Sequence, residues 1–131
     1  MKKLLIILTL AVTPLFGQQK EQAMEILFKN VDSSYFGEDG TRWFECNLPL
    51  MRAYKVMDLF EADTTCNECA VIRGKKEFKA YLREYYPQLR DKKLEKRVVG
   101  HFDGEVNGYL VMLWMYNEYA FAMMTPTPEK Q

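Results

Sequence analysis

Apolar residues recur along this chain with two spacings, helical and alternating, and each spacing predicts elements. From Gln18 to Val31, Ala23, Met24, Leu27, Phe28 and Val31 follow i, i+1, i+4, i+5, i+8, which is one face of a helix. Asp32-Ser33-Ser34 and Gly37-Glu38-Asp39-Gly40 carry loop chemistry. Thr41 to Cys46 reads as a short strand. Asn47 is expected to cap a second helix, with Pro49 tolerated in its first turn. Leu50, Ala53, Tyr54, Met57 and Phe60 line that helix, and Asp63-Thr64-Thr65 ends it. Ala70 to Arg73 is a short strand. Gly74 then opens the clearest helix, where Phe78, Tyr81, Leu82, Tyr85 and Leu89 recur at i, i+3, i+4, i+7, i+11. Pro87 stops or kinks it near Tyr86. Lys92 to Arg97 reads as a solvated turn or a short helical extension.

The last third changes period. Val98–Phe102, Glu105–Tyr116 and Tyr119–Thr125 read as strands. Asp103-Gly104 and Asn107-Gly108 both carry hairpin chemistry, and they lie too close for both to be tight turns. One turns the chain and the other marks a bulge or a bend. Asn117-Glu118 is a weaker turn signal. The central strand is apolar on both faces: Tyr109, Val111, Leu113 and Met115 point one way, Leu110, Met112, Trp114 and Tyr116 the other. A half-solvated antiparallel strand alternates apolar with polar, so both faces here call for cover. Helices in so short a chain are expected to cover one face. The other must meet its own curved sheet, a second subunit or a ligand, which makes Tyr109, Leu110, Val111, Met112, Trp114 and Tyr116 the candidate pocket residues.

The first seventeen residues fit none of these elements. Lys2-Lys3, the apolar run from Leu4 to Val12, and a small residue at Gly17 before polar Gln18 form the pattern of a cleaved secretory signal. Its style is bacterial, which predicts a periplasmic or secreted protein. The run is shorter than the ~20 residues a membrane span needs, so no stable membrane anchoring is expected. The organisation that follows is a signal peptide at 1–17, one domain at 18–125 and a disordered tail at 126–131.

The whole chain is neutral, with 18 basic and 18 acidic residues, and removing Lys2 and Lys3 leaves it slightly acidic. No net field draws it to nucleic acid. The charge is split, though. Arg73–Arg97 holds ten basic and four acidic residues, whereas Asp32–Glu68 holds eight acidic and three basic. That split reads either as two solvated faces or as a docking surface for a charged partner.

Leu59-Phe60-Glu61-Ala62-Asp63, an irregular stretch, Gly74-Lys75-Lys76-Glu77-Phe78-Lys79-Ala80-Tyr81-Leu82, and then long antiparallel strands resemble the NTF2-like (SnoaL-like) superfamily over roughly residues 48–125. The resemblance implies helices packed into a strongly curved sheet, a cone with an apolar pocket. The stretch from Asp32 to Asn47 is long for that family, and no catalytic set of the family maps here.

The candidate chemistry is sparse. Cys46, Cys66 and Cys69 are an odd count, which in an exported chain predicts one disulfide and one thiol left over. Cys46 with Cys66 or Cys69, Cys66 with Cys69, or no bridge at all remain open. Cys66-Asn67-Glu68-Cys69 also admits a thiol oxidoreductase, but it lies in an acidic loop, and such acids disfavour a thiolate. His101, the single histidine, and Asp103 are the acid–base candidates. No cofactor is implied. Three thiols plus His101 have the ligand number of a zinc site but not its spacing, so no metal is expected.

These readings converge on an α+β domain: two or three helices packed on a curved, cone-like antiparallel sheet of three to five strands. The expected function is non-catalytic binding of a protein partner, a second copy through the sheet face, or a small apolar ligand. The alternative is a periplasmic enzyme using His101 and Asp103 or the thiol pair.

Overall fold

The computed structural model describes residues 18–66, 68–89 and 92–128; the signal peptide expected at 1–17 lies outside the described residues. The chain folds as α1 (Gln19–Lys29), β1 (Val31–Phe36), β2 (Arg42–Leu48), α2 (Leu50–Ala62), β3 (Cys69–Arg73), α3 (Lys75–Tyr85), α4 (Lys92–Arg97), β4 (Gly100–Val106), β5 (Tyr109–Met115) and β6 (Ala120–Pro126). A 3-10 turn, Pro87–Leu89, separates α3 from α4. The strands form one antiparallel sheet in the order β1-β2-β6-β5-β4-β3. The architecture is α+β, with four helices and six strands among the described residues.

The sixth strand is β1, which corrects the loop expected at Asp32-Ser33-Ser34. Five of its six residues are exposed, so it carries no buried face for a period to reveal. Cross-strand partners hold it at the sheet edge instead. Asp32 accepts from the Asn47 backbone and side-chain amides at 3.3 and 3.0 Å, and Tyr35 donates to Glu45 at 2.9 Å. Asn47 is thereby a strand residue and not the helix cap. The extended backbone at Pro49 takes that place, its carbonyl accepting from Ala53 at 3.0 Å.

α1 and α2 cover one face of the sheet. Leu27, Val56, Met57 and Phe60 from the helices meet Phe102, Val111, Leu113, Met115 and Met124 from the strands, all fully buried. Phe60 stacks on Phe102 with centroids 4.0 Å apart. Asp63 ties the two helices together. Its carboxylate accepts from the Lys20 amide at 2.9 Å and the Thr65 amide at 2.8 Å. Burial alone would raise this carboxyl, but the hydrogen bond from the Thr65 hydroxyl, together with those two amides, holds it below its ordinary range.

The opposite face is also helix-covered at one end, contrary to the expectation that helices cover only one. Phe78 and Leu82 of α3 pack with Val98 against Ile72, Trp114 and Tyr116. Asn107-Gly108 is the hairpin turn between β4 and β5, with φ of +50° and +85°, the mirror-image turn that suits twisted strands. Asp103-Gly104 instead lies within a β4 ladder of regular register. Gly104 is there for a close approach: a Cβ would stand 2.8 Å from the Glu68 carbonyl oxygen. β6 runs through Pro126, and the Thr127 amide donates to Gly108 at 2.8 Å. Backbone pairing thus reaches into the stretch read as a tail, while residues 129–131 lie outside the described residues.

Candidate functional site

His101 and Asp103 are two apart on β4, so strand alternation puts both on the α3-covered face. α3 supplies their neighbours. The Tyr81 hydroxyl donates to Asp103 Oδ2 at 3.0 Å, and the Tyr86 hydroxyl donates to the same oxygen at 2.9 Å. Helical spacing places the Tyr85 ring 5.0 Å from that of Tyr81, and the Tyr86 ring, just past the helix end, lies 5.9 Å from it. Burial, then the charge and hydrogen bond of Asp103, push the Tyr81 phenol well above its ordinary range. The hydrogen bond to Asp103, with burial second, raises Tyr86.

His101 is only 4% exposed. The rings of Phe78, Tyr81 and Trp114 surround it at 5.5, 5.6 and 5.5 Å. Burial pushes its pKa down to about 4, against the opposing charge of Asp103 and a hydrogen bond with the Leu113 backbone. Its Nδ1 is buried without a hydrogen-bond partner. At neutral pH it is an uncharged ring inside an aromatic box. Among the described residues no hydrogen bond joins it to Asp103, whose Oδ2 is held by the tyrosines. The two acid–base candidates therefore share a face without forming a His–Asp pair.

Beside this cluster runs a shallow groove of ≈ 580 Å³, whose lining includes Glu68, Tyr81, Tyr85, Asp103, Glu105 and Leu110. The groove continues into the open half of the same face. There Leu110 is 39% exposed, and Met112 of β5 pairs in register with Met123 of β6, both half-buried. Trp43 and Phe121 extend the half-buried apolar surface, and Trp114 and Phe121 stack at 6.2 Å.

The six pocket candidates divide between the faces. Tyr109 and Val111 lie on the α1/α2 face, where Val111 is fully buried and Tyr109 packs on Phe28 at 5.0 Å. Leu110, Met112 and Trp114 lie on the opposite face. Tyr116 follows the end of β5 and, with Tyr119 and Arg97, lines a separate depression of ≈ 210 Å³. Tyr81, Tyr85 and Tyr86 were not among the candidates. The helical spacing of Tyr81 and Tyr85 was the available signal, with Tyr86 just past the helix end, and core packing explained it equally well.

Cys66 and Cys69 lie at disulfide distance, with Cα atoms 5.5 Å apart, and Cys46 is free and buried. Of the pairings left open, the structure takes the short one. Burial, with the Asp32 charge adding to it, pushes the Cys46 thiol up to about 12. The pair follows the C-terminal end of α2, the Cys66 amide donating to Asp63 at 3.2 Å. That is the opposite of the helix N-terminus that activates redox thiols. Cys46 faces α1 and α2 while His101 faces α3, so the thiols and the imidazole do not converge. Among the described residues no group of three or more His, Cys, Asp or Glu is placed to hold a metal ion, and no helix is long and apolar enough to cross a membrane.

No protein-family model, curated protein or solved structure matches this chain.

Proposed function

We propose that this is a small exported binding module, non-catalytic, which engages a protein partner or a small apolar ligand through the sheet face that α3 leaves half open. The observation that carries the reading is the set of apolar side chains left exposed or half-exposed on that face, Leu110, Met112, Met123 and Trp43, with Met112 and Met123 paired in register. Apolar surface gathered on one face is costly to leave in water and characterises sites that become covered. Catalysis by His101 finds no support in this geometry, because its ring is enclosed and its Nδ1 faces no partner. Export is supported by the charge and apolar pattern of residues 1–17 and by a cysteine pair suited to an oxidising compartment.

An NTF2-like relationship belongs to the same proposal. It is supported by Leu59-Phe60-Glu61-Ala62-Asp63 closing α2, by Gly74 opening α3, and by the antiparallel β4–β5–β6 meander that follows. The ligand position differs from the family expectation of a pocket inside the cone, since fully buried Phe60, Phe102 and Met115 fill the α1/α2 face.

Light scattering coupled to size exclusion, with an apolar fluorescent dye titrated in parallel, tests the reading. A dimer or saturable dye binding supports it. A strict monomer that binds no dye removes it.

A further inference from the structure

We propose that the groove beside α3 takes a small organic cation: a protonated amine, quaternary ammonium or guanidinium carried on an apolar stem. The proposal rests on the binding reading above and names the ligand chemistry of one part of that face. Three carboxylates line the groove: Glu68 from the loop before β3, and Asp103 and Glu105 from β4. No lysine or arginine is among its lining residues. The ion pairs of the described residues involve Glu25, Asp58 and Glu61 and none of these three acids. The chain has as many basic as acidic residues, so three acids with no ion pair among the described residues around one concavity are not a by-product of an acidic composition. They leave a local negative potential that a cation relieves.

The acids do not stand alone. Tyr81 and Tyr85 form an aromatic wall, and aromatic faces attract ammonium and guanidinium groups. The hydrogen bond to Asp103 clamps the Tyr81 ring, so that part of the wall is set before a ligand arrives. Leu110 offers apolar surface for the stem. A volume of ≈ 580 Å³ falls within the roughly 300–1,000 Å³ of small-molecule sites. A neutral apolar ligand gains nothing from the carboxylates, and an anion is repelled by them.

Isothermal titration of the protein at low salt with hexyltrimethylammonium, hexanol and hexanoate tests this directly. The cation is expected to bind saturably and about tenfold tighter than hexanol, with hexanoate weakest. The Glu68→Gln/Glu105→Gln double variant, at two exposed positions that leave the core untouched, is expected to lose about fivefold for the cation and nothing for hexanol. Equal affinity for cation and hexanol, or a double variant that binds the cation unchanged, overturns the cation assignment and leaves apolar binding standing. No binding by any of the three, together with a strict monomer in light scattering, removes both.

Discussion

The two faces of this sheet are built from similar residues and end in different states. On the α1/α2 side, Val111, Leu113, Met115, Ala122 and Met124 are fully buried. One register position away, Leu110, Met112, Trp114, Phe121 and Met123 are exposed or half-exposed. The difference is made by the helices. Two helices, tied by Asp63, close the first face, whereas α3 packs on the second near Ile72, Trp114 and Tyr116 and leaves the rest open. The chemistry follows the packing. The closed face is apolar throughout its core cluster, while the half-covered face holds the buried histidine and a carboxylate shared by two tyrosines.

The largest expected contrast is in stability. Phe102→Ala removes the ring stacked on Phe60 and leaves a cavity, at a cost of about 3–5 kcal/mol. Leu110→Ala on the open face is expected to cost less than about 1 kcal/mol. Urea unfolding of both variants checks this, and similar losses for the two would erase the distinction between the faces.

The next effect comes from His101. Its folded pKa is near 4, against 6.5 for an unperturbed histidine, so the unfolded chain takes up the proton first. The contribution is complete above pH 6.5 and is lost as pH falls from 6.5 to 4, amounting to about 3 kcal/mol. Unfolding free energies of wild type and His101→Leu across that window are expected to diverge, wild type falling more steeply with acid. Parallel curves would contradict a buried neutral imidazole.

Smaller still is Tyr81→Phe, which removes one of the two donors to Asp103 and is expected to cost about 1 kcal/mol. Asp103→Asn changes the shared acceptor of both tyrosines, so combining it with Tyr81→Phe should give a non-additive loss in a double-mutant cycle. Additive losses would place the two residues in separate environments.

The division between the faces was partly legible in the sequence. The two apolar sets of β5 could be read from its alternation, and α3 from its period, because long buried segments leave regular patterns. β1 could not be read, since an exposed edge strand is held by backbone ladders and rim contacts and carries no apolar rhythm. His101 and Asp103 stood out as residue types. Their partners did not, because Tyr81 and Tyr86 lie 22 and 17 residues from Asp103 and meet it only when α3 folds back over β4. The cysteine pairing likewise depended on the order of the strands in the sheet. Cys46 on β2 and Cys69 on β3 face the same helix-covered core, but three strands of the sheet lie between them.

The proposed binding falls on the half-covered face, and the methionines of that face report on it directly. Met112 and Met123 sit on that face, while Met57, Met115 and Met124 are sealed under α1 and α2. Methionine methyl resonances followed by NMR during a hexanol titration are expected to shift saturably at Met112 and Met123 and to stay fixed at the other three. Shifts confined to Met57, Met115 and Met124, or spread evenly over all five, would contradict the account.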